Sequence, residues 1–194
     1  TINANTLNTL SGAAVNLNTA FASGGISNLG DQDVTLTDTS LTASVLNALD
    51  DNTSGTINAN TLNTLSGAAV NLNTAFASGG ISNLGDQDVT LTDASLTASV
   101  LNALDDNTTG SIDASTLNTL SGAAVDLNTA FDSGGISNLG DEDVTLTDSS
   151  LTASVLSAPD GNTTGSIDAS AVTTLTGTAV DLNTAFDSGG ISNL

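Results

Sequence analysis

Val89-Thr-Leu-Thr-Asp-Ala-Ser-Leu-Thr-Ala-Ser-Val-Leu-Asn-Ala-Leu104 changes its period halfway along. The first part alternates, with Thr90 and Thr92 flanking Leu91, and β-branched residues at a period of two favour a strand. The second part sets Leu96, Val100, Leu101 and Leu104 on one face of a helix, with Asp93 or Ser95 placed to cap its start. The lead-in Thr61-Leu-Asn-Thr-Leu-Ser-Gly67 is followed in the same way by Ala68, Leu72, Ala75 and Phe76 at helical spacing. Both helices run into glycine, at Asp105-Asp-Asn-Thr-Thr-Gly110 and at Ser78-Gly-Gly80, which is turn and C-cap chemistry. The local order is therefore strand, short helix, glycine turn, strand.

This order recurs with a period of 55 residues in a chain of 194. Residues 1–55 and 56–110 differ only where Thr39 becomes Ala94 and Ser54 becomes Thr109, residues 111–165 diverge further, and 166–194 begin a fourth copy. The chain stops inside a repeat at Ile191-Ser-Asn-Leu194, as expected of a window on a longer array. Two strand-and-helix coils per repeat predict an α/β solenoid with a parallel β-sheet, each repeat advancing roughly 10 Å at the usual strand spacing. Ile57, Leu62, Leu65, Ile81, Leu84, Val89 and Leu91 are the expected internal ladders, and one Phe per repeat is expected to close the wider end. Pro159, where the other copies have Leu49 and Leu104, is expected to shorten its helix. A pure β-solenoid would use the same ladders and turns, and an all-helical array the same stripes. Helices of two or three turns are marginal alone, so packing on stacked strands favours the mixed fold.

Composition narrows the function. With 21 acids, no Lys, Arg or His, and a formal charge of −21, the chain has nothing to neutralise phosphates, which speaks against nucleic acid and anionic lipid as partners. Without His or Cys there is no soft-ligand metal site, no disulfide and no Ser-His or Cys-His pair, so catalysis is not expected. Paired acids such as Asp141 and Asp143 recur in every full repeat, whereas an active site is normally unique. No apolar run approaches the ~20 residues of a membrane span, so membrane insertion is not expected either. Charged residues are only 11% of the chain, which argues for order rather than disorder.

Ser166-Ile-Asp-Ala-Ser-Ala-Val-Thr-Thr-Leu-Thr-Gly177, Gly189-Gly-Ile-Ser-Asn-Leu194 and Asp88-Val-Thr-Leu-Thr-Asp93 resemble the tandem repeats of giant secreted bacterial cell-surface proteins of the marine cyanobacterial type. The first of them is also similar to the strand-and-turn of leucine-rich-repeat-like surface arrays. The resemblance covers essentially the whole chain. It implies an extracellular or cell-surface setting and a role in coats, adhesion or matrix, and it carries over no catalytic residue.

Calcium is the cofactor that local spacing suggests. Asp50, Asn52 and Ser54 stand at positions 1, 3 and 5 of a loop similar to those of EF-hands and dockerins, with Gly55 at 6, and the pattern recurs at Asp105, Asn107 and Thr109 and at Asp160 and Asn162. Thr61, Thr116 and Ala171 stand where a bidentate acid is needed, so the same stretch also reads as an Asx-rich turn ending a helix. A second acidic set, Asp31 and Asp33, Asp86 and Asp88, Asp141 and Asp143, is expected to stack in register, where repulsion would favour a counter-cation or simply give a solvated acidic face. Asn52, Asn107 and Asn162 each begin a glycosylation sequon in a composition rich in Asn and Thr. Two outward Thr per strand, interrupted by acids, make a poor ice-binding ladder. Gly79-Gly80 and Gly134-Gly135 lack the Lys and strand context of a phosphate loop.

Two functions follow as expectations. One is a structural array that self-associates as a rod, stalk or filament, calcium stabilising it. The other is an adhesin module for a glycan or another surface, against which the absence of Trp and Tyr weighs.

Overall fold

The computed structural model describes residues 1–194. The chain divides into two compact units, Thr1–Thr90 with Asn107–Ser111, and Leu91–Asp106 with Ile112–Leu194. The first unit runs through β1 (Ile2–Asn3), β2 (Thr9–Gly12), α1 (Ala14–Phe21), β3 (Ile26–Ser27), β4 (Asp33–Leu36), β5 (Ser40–Thr42), α2 (Ala43–Asn52), β6 (Ile57–Asn58), β7 (Thr64–Gly67), α3 (Ala69–Ala77), β8 (Ile81–Ser82) and most of β9 (Asp88–Leu91). The second holds β10 (Ser95–Thr97), α4 (Ala98–Asp105), β11 (Ile112–Asp113), β12 (Thr119–Gly122), α5 (Ala124–Asp132), β13 (Ile136–Ser137), β14 (Asp143–Leu146), β15 (Ser150–Thr152), α6 (Ala153–Asn162), β16 (Ile167–Asp168), β17 (Thr174–Thr176), α7 (Ala179–Asp187) and β18 (Ile191–Ser192). Each unit is a solenoid-like α/β stack: one helix per coil, helices against helices, and every strand pair parallel.

The strand register is set by packing, not by half a repeat. Strands pair at 24 residues, Thr9 with Asp33 and Ile57 with Ile81, although the repeat is 55. The coil between α1 and α2 carries three strands, β3, β4 and β5, and the coil between α2 and α3 carries two, β6 and β7. β4 and β5 pair forward with β6 and β7, and β6 then pairs with β8, the first strand of the next three-strand coil. The pairing thus steps sideways by one strand every two coils. In the second unit this order gives a single five-stranded sheet, with Leu96, Leu120, Val144, Ile167 and Ile191 as one internal ladder.

Of the ladder residues expected from the sequence, Ile57, Leu62, Leu65, Ile81, Val89 and Leu91 are buried, whereas Leu84 is half-buried in a turn. Ala, Leu and Val suffice because each coil has a thin interior. Fully buried Leu46, Leu49, Leu101 and Leu104 supply the helix side, each contributing about 1.5–3 kcal/mol by burial. The Phe residues do not close the core: Phe21, Phe76 and Phe131 are half-buried, and Phe186 is 61% exposed.

Three local expectations are corrected. Asp93 and Ser95 do not cap α4, because Ser95–Thr97 is strand β10 and the N-cap is Thr97. The cap instead comes from another coil in α1 and α5, where Ala14 N–H donates to Asp38 at 2.8 Å and Ala124 N–H to Asp148 at 2.7 Å. Pro159 does not shorten α6, which spans ten residues like α2. The carbonyl that a proline leaves without its helical donor is that of Val155, and Asn128 Nδ2 donates to it from α5 at 3.5 Å; Asn18 does the same to Val45 in the proline-free α2. Finally, the acids do not stack on acids. At a 24-residue register Asp33 lies beside Thr9 and Asp143 beside Thr119, so hydroxyls alternate with carboxylates.

Candidate functional site

The most elaborate polar arrangement is the turn Ile81-Ser-Asn-Leu-Gly-Asp-Gln-Asp88 and its copies. Asn83 takes a left-handed conformation (φ 61°), which Asn tolerates better than most residues, and Gly85 follows at φ 129°. This reversal turns Gln87 inward, where it is only 2% exposed. Its Oε1 accepts Gly85 N–H at 2.8 Å, and its Nε2 donates to Leu62 O at 3.2 Å, Asn83 O at 3.3 Å and Asp86 Oδ1 at 2.6 Å. The Gln87 carbonyl accepts the buried Thr108 hydroxyl at 2.8 Å, and Gly110 packs directly on it. One side chain and its carbonyl therefore fasten together the coils before and after. Gln32 makes the same set of bonds to Gly30, Leu7, Asn28 and Asp31.

In the third copy the residue is Glu142, fully buried. Its Oε2 takes the Gly140 N–H at 2.8 Å, and Thr163 donates to its carbonyl at 2.8 Å, as in the other copies. Its Oε1 has no hydrogen-bond partner. The sequence analysis passed over Gln32, Gln87 and Glu142. Their signal was a long polar residue held between two Asp in each full repeat, with the charge changing in one copy only.

Beside each turn lies an open groove, about 680 Å³ at Asn60, Asn63, Asn83 and Asp86, about 550 Å³ at Asn5, Asn8, Asn28 and Asp31, and about 370 Å³ at Ser115, Asn138 and Asp141. Their linings offer amides, carboxylates and one Leu each, Leu84 being the half-buried one. Such surfaces can hydrogen-bond a polar ligand.

The predicted calcium-loop residues are not brought together. Asp50 and Asn52 are still helical, in α2. Asp50 accepts the Ser78 hydroxyl at 2.6 Å, Asn52 Nδ2 donates to Asn18 Oδ1 at 2.9 Å, and Ser54 donates to Gly30 O at 3.2 Å, three different neighbours. Asp105 and Asp160 accept Ser133 and Ser188 hydroxyls in the same way, Asn107 donates to Asn73, and Thr109 to Gly85 O. Asn162 makes no bond to Asn128, whose Oδ1 is left without a partner. In the second acidic set, Asp33 accepts Thr56 N–H, while Asp88 and Asp143 accept both N–H and hydroxyl of Ser111 and Ser166. Asp31 and Asp86 face the Gln amides instead. No group of three or more acids is close enough to hold a metal ion.

Three carboxyls sit below their ordinary value. Asp113 is lowered by the Asn138 side-chain amide and then by Ser115, Asp168 by Asn193 and then Ser170, and Asp143 by the N–H and then the hydroxyl of Ser166. No helix is long and apolar enough to cross a membrane. Comparison with family models, curated proteins and solved structures gives no match.

Proposed function

We propose that this chain is a stretch of an extracellular structural array, a rod, stalk or filament of a surface or matrix protein. The observation that carries this reading is that the chemistry is spent between coils: Gln32, Gln87, Asp38, Asp50 and Asn52 all bond residues of a neighbouring coil, in copies 55 residues apart. Residues that would mark a single working site have no place in that pattern. A chain without Lys or Arg also offers trypsin nothing to cut, which suits exposure outside a cell. The test is small-angle scattering and negative-stain microscopy on chains of three, six and nine repeats. The array reading expects length to grow by roughly 10 Å per repeat at constant width. Particles that grow in all dimensions would overturn it.

The row of amide-lined grooves supports a second reading, an adhesin module for a glycan. Glycan-array binding lost on Asn60→Ala and Asn63→Ala would favour it; an array without hits would remove it.

A further inference from the structure

We propose that the turn around Glu142 binds one calcium ion, at a place where the equivalent turns of the first two repeats carry a glutamine amide in its stead.

The argument starts from what the amide does. In the second repeat Gln87 Nε2 points at three acceptors, the carbonyls of Leu62 and Asn83 and the carboxylate of Asp86. In the first, Gln32 Nε2 points at Leu7, Asn28 and Asp31. The third turn keeps the same backbone: Asn138 is left-handed at φ 59°, Gly140 has φ 135° like Gly30, Gly140 N–H bonds the side chain, and Asp143 N–H bonds Asn118 O as Asp88 N–H bonds Asn63 O. Only the side chain differs. Glu142 Oε2 takes the role of the glutamine Oε1, so Oε1 stands where the donor stood, facing the carbonyls of Leu117 and Asn138 and the carboxylate of Asp141. It is fully buried and has no partner.

Four oxygens directed at one another in a buried turn repel unless something positive lies among them. The chain itself has no cationic side chain to supply. Two carboxylates match the charge of a divalent ion, and a mixture of carboxylate and main-chain carbonyl oxygens is the donor set of calcium, which accepts irregular geometry at about 2.3–2.6 Å and completes its shell with water. The groove beside Asn138, Gly140 and Asp141 opens to solvent and gives the ion an entrance and its waters a place. This inference does not rest on the array reading, since a lone calcium site is compatible with rod and compact particle alike.

The test is calorimetric titration of the whole 194-residue chain with calcium in about 0.15 M NaCl, where diffuse binding to exposed acids is screened. The expected result is one ion per chain, none in Glu142→Gln, and two in Gln87→Glu, which rebuilds the site in the second repeat. Glu142→Gln installs the residue that two repeats already fold with, so its melting temperature serves as a second readout: equal in calcium and in EDTA, while that of the unsubstituted chain rises with calcium by several degrees. Equal stoichiometry in the unsubstituted chain and Glu142→Gln would overturn the proposal. So would an unsubstituted chain whose stability responds to acid between pH 7 and 5 but not to calcium, because a proton would then fill the place of the ion.

Discussion

Asp38 caps a helix it does not belong to: its carboxylate accepts the N–H of Ala14 at 2.8 Å, 24 residues earlier in the chain. The acid satisfies one of the free donors at the start of α1 and places negative charge at the positive end of that helix. The same arrangement joins Asp148 to Ala124. In α7 the corresponding cap is local, Thr178 accepting Asp181 N–H at 3.2 Å where the other repeats have Ala13, Ala68 and Ala123.

Asp38→Ala is therefore expected to cost about 1 kcal/mol, the usual worth of an N-cap, and Asp38→Asn less because an acceptor remains. Ala13→Thr, which copies Thr178, should offset much of the loss. Urea unfolding of the three variants checks this; equal midpoints for Asp38→Ala and the unsubstituted chain would show the bond contributes nothing.

Glycines with the same sequence signature differ in their demands. A Cβ on Gly110 would run into the backbone of Gln87 and Asp88, whereas one on Gly79 would meet nothing within 4 Å. Gly110→Ala should destabilise by about 1–3 kcal/mol, and Gly79→Ala should stay within about 0.5 kcal/mol. Thermal melts of the pair give the comparison.

Pro159→Leu should stabilise. It restores the main-chain donor to Val155 and refills a position that is fully buried as Leu49 and Leu104 in the other repeats. A gain of about 1–3 kcal/mol is expected, at most the penalty of a proline inside a helix. A loss would mean that α6 has repacked around the ring.

Acid should act unevenly along the chain. Asp113, Asp143 and Asp168 have lowered native values, so the stability they give is complete above the ordinary carboxyl value of about 3.9 and disappears as pH falls through the depressed one. Asn58 already stands where Asp113 does in the third repeat, and Asn83 bonds it at 2.8 Å. Asp113→Asn should thus flatten the fall in urea midpoint below about pH 4. An unchanged slope would show that Asn138 holds both forms of Asp113 equally well.

The repeat, the single helix per coil and the strand lead-ins were legible in the sequence because periodicity reports which face is buried. The helix expected from Ala68 begins at Ala69, and the one expected at Leu96 begins at Ala98, because Leu96 is held in a strand by Leu120. The 24-residue register was not legible: it depends on three strands in one coil facing two in the next, and no local pattern records that count. From it follow both the trans caps and the separation of Asp33 from its own kind. The buried Gln87 escaped notice since, in sequence, a glutamine between two aspartates looks like solvated turn.

The unequal strand number of alternating coils also bears on how such a gene changes length. β6 and β7 fit between two three-strand coils, and Asn52 reaches Asn18 only across that unlike pair. Deleting one coil would set two of the same kind together, with strands unmatched and the amide bond lost. Unequal crossing-over can add or remove material here without damage only in blocks of 55 codons, and the near-identity of residues 1–55 and 56–110 is the trace such an exchange leaves.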